Sequence, residues 1–71
     1  MKLHYDPETD SLYIDLADRT SQDSIEVAPG VVVDFDAAGN IVGIDIDHAS
    51  TVVDLKAVEV HHLPLGVLAT S

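Results

Sequence analysis

Apolar and polar positions alternate along most of the chain, most clearly in Leu12-Tyr13-Ile14-Asp15-Leu16, Val31-Val32-Val33-Asp34-Phe35-Asp36 and Ile44-Asp45-Ile46-Asp47. A period of two sends successive side chains to opposite faces of a strand, so the aliphatics gather on one face of a sheet and the carboxylates on the other. This pattern predicts strands over Lys2 to Tyr5, Ser11 to Ala17, Ser24 to Val27, Val31 to Asp36 and Ile41 to Asp47. Leu3, Tyr5, Leu12, Ile14, Ile25 and Val27 then point inward, while Lys2, His4, Tyr13 and Asp15 point out.

Turn chemistry separates these runs. Asp6-Pro7-Glu8-Thr9-Asp10 combines the preset φ of proline with carboxylates that accept nearby backbone hydrogen bonds, and closes a first hairpin. Pro29-Gly30 has the order that a type II turn prefers, which suits a looser bend as well as a hairpin. Asp36-Ala37-Ala38-Gly39-Asn40 ends in residues that tolerate the left-handed region. Around that turn, Phe35 is expected opposite Val42 and Val33 opposite Ile44, because a slip of one residue turns a whole strand inside out. Gly43 then faces outward opposite Asp34, where a larger acidic residue is disfavoured by like charge.

After Asp47 the period changes. Asp47 to Thr51 offers a capping residue and a helical turn, and the β-branched pair Val52-Val53 keeps any helix between His48 and Lys56 short. Ala57 to His62 alternates again and offers a further strand; Leu63 to Ala69 is an uncharged apolar tail that packs on the sheet, enters an oligomer or frays. The expected fold is α+β, mostly β: one domain over residues 1–71, with a single antiparallel sheet of hairpins, four to six strands and one short helix.

Composition narrows the setting. The chain has 71 residues with one Phe, two Tyr and no Trp, so Val, Ile and Leu supply most of the core. A domain this short buries only roughly 60% of its unfolded surface. Each buried aliphatic contributes about 1.5–3 kcal/mol against a backbone ordering cost of roughly 1–2 kcal/mol per residue, so a monomer is marginal and self-association helps. Without Cys there is neither a disulfide nor a thiolate metal site, which suits a reducing cytoplasm. Polar and acidic residues follow Met1-Lys2-Leu3-His4 at once, so no secretory leader or bilayer-spanning run is read here.

Thirteen acids against three bases give a formal net charge of −10. Phosphate backbones are bound chiefly by Lys and Arg, and Lys2, Arg19 and Lys56 form no patch in sequence. Direct binding to nucleic acid is therefore not expected, nor is attachment to a membrane. An acidic surface instead steers a basic protein, or simply keeps a small domain soluble.

These segments resemble a bacterial family, the domain of unknown function 2283. The resemblance rests on Tyr5-Asp6-Pro7-Glu8 with Asp10, Leu12-Tyr13-Ile14, Pro29-Gly30-Val31, Asp34-Phe35-Asp36, Gly39, Ile41-Val42-Gly43-Ile44-Asp45-Ile46 and Ala49-Ser50. It covers residues 1 to about 50, and Leu63-Pro64-Leu65 is similar to the tail of longer members. The resemblance implies a small β-rich domain without an established activity, and an antitoxin-like role beside small ribonuclease-like toxins by analogy. One departure follows Ser50, where Thr51-Val52-Val53 replaces more basic or polar residues.

The candidate chemistry is sparse. Asp34-Phe35-Asp36-Ala37-Ala38-Gly39 resembles the start of a calcium loop, but Ala38 fills the fifth position and Asp45 stands twelfth where a bidentate Glu is needed. His61 and His62 are adjacent, so on a strand they point to opposite faces and do not chelate one ion; no metal site or cofactor is assigned. No Gly-x-Ser-x-Gly elbow or glycine-rich phosphate loop is present, and a cleft for paired carboxylates is more than one such subunit encloses. No catalytic residue is assigned.

The leading expectation is a small acidic protein-interaction module. Asp34, Asp36, Asp45 and Asp47 are its candidate contacts to a basic partner. Val58, Val60, Leu63, Leu65 and Leu68 are the candidate contacts of a homo-oligomer, with a dimer favoured. The alternative is a subunit of a homo-oligomer whose small-ligand or metal-assisted enzymatic site forms between protomers. Carboxylates converging with His in a cleft favour that alternative; a continuous acidic face favours a protein partner.

Overall fold

The computed structural model describes residues 1–62. Five strands precede one helix: β1 (Lys2–Asp6), β2 (Ser11–Asp15), β3 (Asp23–Ala28), β4 (Val31–Phe35), β5 (Ile41–Ile46) and α1 (Ala49–Val52). The strands form a single antiparallel sheet in the order β1-β2-β5-β4-β3, mostly β as the alternation predicts. β1 pairs with β2, and β3, β4 and β5 pair in succession, but the two groups join through β2 and β5. The connection from β2 to β3 therefore crosses one end of the sheet. It is laced there by Leu16 N donating to Val42 O at 2.9 Å and Gln22 N to Phe35 O at 2.7 Å.

The strands sort by polarity. β5 runs between β2 and β4, and its Ile44 lies opposite Ile14 on one side and Val33 on the other. The flanking strands carry more polar residues, Lys2, His4 and Asp6 in β1 and Asp23, Ser24 and Glu26 in β3, as fits the two edges of the sheet. Cross-strand pairing places Leu3, Ile14, Ile44, Val33 and Ile25 on one face. On that face Leu12 and Ile46 are buried with Ala49 of α1, and Ile14, Val31, Ile44, Val53 and Leu55 pack around them. Val33 and Val42 complete the buried set. A helix of one turn and the chain that follows it thus close one end of the apolar face.

Several expectations shift. Val33 does pair with Ile44 and Asp34 with Gly43, but Phe35 lies opposite Ile41, and Val42 is the extra residue of a bulge. Turn chemistry explains the shift: Asp36 Oδ1 accepts the amides of Ala38 at 3.0 Å and Asn40 at 2.8 Å, which closes the turn one residue tighter. In β3 a second irregularity between Glu26 and Ala28 leaves Val27 58% exposed, and Ile25 at the sheet edge is 51% exposed, so neither is a core residue. Ala57 to His62 forms no strand.

Gly43 is opposite Asp34 as expected, yet it is buried, because the Tyr13 ring lies across it. A Cβ at this position would overlap the Tyr13 hydroxyl and ring carbon Cζ. Packing, more than like charge, excludes a side chain here. Gly43→Ala is accordingly expected to cost about 1–3 kcal/mol in denaturant unfolding, the range for overpacking, and to become nearly neutral when combined with Tyr13→Val. Equal midpoints for Gly43→Ala and wild type would show that the ring does not lie there.

Candidate functional site

Of the four aspartates that sequence singles out, the register places Asp34 and Asp45 on the polar face of the sheet, in two neighbouring rows, while Asp36 and Asp47 lie beyond the ends of β4 and β5. One row reads His4, Tyr13, Asp45, Val32 and Glu26 across the strands; the next reads Lys2, Asp15, Gly43, Asp34 and Ser24. Asp34 and Asp45 thus lie in neighbouring rows of the same face, joined there by Asp15 and Glu26. Tyr13 bridges the rows. Its hydroxyl donates to Asp34 Oδ2 at 3.2 Å, and Ser24 Oγ donates to Asp34 Oδ1 at 2.6 Å.

Electrostatics differ among the four candidate aspartates. Partial burial raises the pKa of Asp45 above the ordinary carboxylate value, with the charges of Asp47 and Asp34 adding to the effect. Burial likewise pushes the Tyr13 phenol up, followed by its hydrogen bond to Asp34, so the hydroxyl stays a donor. Asp47 is exposed just beyond β5, its amide donating to Gly30 O at 2.8 Å. Asp36 is committed elsewhere. Besides holding the turn, it takes Arg19 Nε at 2.8 Å, and these contacts, led by the Asn40 amide, keep its carboxyl below the usual range.

The remaining candidates separate from this face. Val58 and Val60 are 63% and 48% exposed, and Leu63, Leu65 and Leu68 lie outside the described residues. His61 Nε2 stands 3.5 Å from Glu59, and the His61 and His62 rings are 6.4 Å apart and tilted. Among the described residues no group of three or more His, Cys, Asp or Glu is placed to hold a metal ion. No described helix is long and apolar enough to cross a membrane. An open groove of about 560 Å³ runs beside Tyr5 and residues 50–56, and no His lines it among the described residues.

At the end of the sheet occupied by α1, a second constellation ties the first turn to the helix. Asp10, in the left-handed region at φ 54, receives Ser50 Oγ on Oδ2 at 2.6 Å, and Tyr5 OH at 2.7 Å and Ser50 N at 3.1 Å on Oδ1. Its carbonyl accepts Ala49 N at 2.9 Å. His48 occupies the N-cap position with φ 53 and provides no side-chain cap, and neither does Asp47. Asp10 therefore satisfies the first two amide donors of α1, those of Ala49 and Ser50, from a turn about 40 positions away in sequence. Hydrogen bonds from Ser50 and Tyr5 lower its pKa. No local pattern signals this contact, since ordinary capping is sought in the residues just before a helix.

Tyr5, Asp10 and Ser50, joined here by hydrogen bonds, all fall within residues 2–50, the stretch matched by a family model described as "Protein of unknown function (DUF2283)". The chain belongs to this family. The DUF2283 stretch ends at Ser50, the residue that Asp10 holds, so the matched region contains both ends of the tie. Comparison with curated proteins and with solved structures finds no match.

Removing the tie is expected to loosen α1 before the sheet. Ser50→Ala should cost about 0.5–1.5 kcal/mol, the net worth of a hydrogen bond, and Asp10→Asn should lower the unfolding midpoint as well. In the double variant the losses should fall short of additive, because both changes break the same contact. Because the folded pKa of Asp10 is lowered, its stabilisation is complete above the ordinary value of 3.8 and is lost as pH falls through the folded value. Fully additive losses in a denaturant double-mutant cycle would show that the two side chains do not meet.

Proposed function

We propose that the protein is a homo-oligomeric, acidic interaction module whose polar sheet face receives a basic protein. The observation that carries this reading is the alignment of Asp15, Asp34 and Asp45 with Glu26 in adjoining rows around Tyr13, on the face the apolar core does not use. Asp47 extends the negative surface past the end of β5, and Asp36 borders it while bound to Arg19. A net charge of −10 steers a positively charged partner toward the chain.

An antitoxin-like role fits this chemistry. A ribonuclease-like protein needs Lys and Arg to engage phosphates, and a rigid array of carboxylates competes for the same cationic groove. Asp45 supplies a graded contact. Desolvation, and after it the charges of Asp47 and Asp34, disfavours its ionised form in the isolated protein, and a partner's guanidinium offsets that repulsion on binding.

Affinity capture from the native cell at low salt, followed by association kinetics with the purified partner, tests the reading. Replacing Asp34, Asp45 and Asp47 by Asn is expected to slow association several-fold and to flatten its dependence on ionic strength, since such steering is screened over about 8 Å at 0.15 M salt. Asp45→Asn alone should also stabilise the isolated protein at neutral pH, because its raised folded pKa means that the ionised form opposes folding. A partner whose binding ignores both salt and these substitutions would leave the acidic face a solubility device.

A further inference from the structure

The two edges of the sheet are not equivalent. β3 carries an irregularity between Glu26 and Ala28 and presents Asp23 and Glu26, features that deter strand addition. β1 pairs with β2 through five consecutive residues without interruption, and its outer side has no partner among the described residues. Its sequence, Lys2-Leu3-His4-Tyr5-Asp6, places a base at one end, an acid at the other and two apolar residues between them. Leu3 and Tyr5 are 56% and 44% exposed.

We infer that β1 is the homodimer edge, pairing antiparallel with β1 of a second copy about a two-fold axis through His4. The inference rests on the homo-oligomeric reading above and names the surface that mediates it. A two-fold axis perpendicular to the sheet keeps both apolar faces on the same side, so only residues of the same face can oppose one another. Centred on His4, the register sets Lys2 opposite Asp6 of the second copy and Leu3 opposite its Tyr5, twice each. Opposite charges meet on the polar face and apolar groups on the other. Centring on Leu3 instead sets Lys2 against His4, and centring on Tyr5 brings Pro7, which has no amide hydrogen, into the ladder.

The neighbouring contacts are compatible with this pairing. Asp6 Oδ1 accepts Glu8 N at 3.0 Å, and its Oδ2 has no hydrogen bond among the described residues. Lys2 pairs across β1 and β2 with Asp15, so in the dimer it stands between two carboxylates. The product is one continuous sheet with the acidic faces of both copies on one side. A single basic partner can therefore span both.

Sedimentation of the full chain over a wide concentration range is expected to give a dimer. Lys2→Asp should weaken it about tenfold by setting like charges opposite each other at two symmetric positions, and adding Asp6→Lys should restore it. Lys56→Asp, with the same change in net charge, should have little effect. Because the chain contains no Cys, His4→Cys gives a second readout that does not depend on the Asp6 turn. Paired strand residues lie within disulfide reach, so mild oxidation should link His4→Cys dimers and leave Glu26→Cys unlinked. A monomer at all concentrations overturns both the inference and the homo-oligomeric reading. A dimer that ignores the charge swap and does not cross-link at position 4 overturns the β1 edge alone.

Discussion

The carboxylate of Asp10 closes the architecture. A sheet with one apolar face cannot stand in water uncovered, and here the cover over one end is a helix of a single turn, too short to persist by itself. Asp10 fixes it by accepting from the Ser50 amide and hydroxyl together, while its own backbone carbonyl holds Ala49. That contact seats Ala49 against Leu12 and Ile46 and brings Val53 and Leu55 over the strands. The left-handed backbone of Asp10 and the hydrogen bond from Tyr5 aim the carboxylate. A polar contact at the rim thereby determines whether the aliphatic core is complete.

With the core closed on one side, the opposite face is available to carry charge. Tyr13 makes the crowding tolerable: its ring covers Gly43, and its hydroxyl, with that of Ser24, supplies donors to Asp34 in the middle of an acidic array. Among the described residues Asp45 receives no comparable donor, and desolvation, followed by the charges of Asp47 and Asp34, raises its pKa. Segregation of the two faces keeps this charge away from the packing of Leu12 and Ile46 beneath it.

Period-two alternation made the strands, their facing and the central pairing of Val33 with Ile44 legible in sequence, because a buried face penalises any slip. Strand ends were governed by local hydrogen bonding that alternation does not encode. Asp36 tightened its turn and pushed Val42 into a bulge, which moved Phe35 from Val42 to Ile41. Ala57 to His62 has strand-like alternation but no sheet edge receives it, so pattern without a neighbour produced no strand. Of the candidate site, Asp34 and Asp45 were legible by facing alone. The contributions of Tyr13, Asp10 and Ser50 depend on contacts between residues far apart in sequence, such as the 21 positions separating Tyr13 from Asp34.

The closing role of Asp10 is tested most directly by following the Ser50 amide in a pH titration by nuclear magnetic resonance. If the carboxylate holds the helix, the Ser50 amide resonance should shift with the ionisation of Asp10, with a midpoint below 3.8, and residues 49–53 should lose exchange protection over the same range. A Ser50 amide indifferent to pH, or an Asp10 that titrates at or above 3.8 while α1 keeps its protection, would contradict the tie.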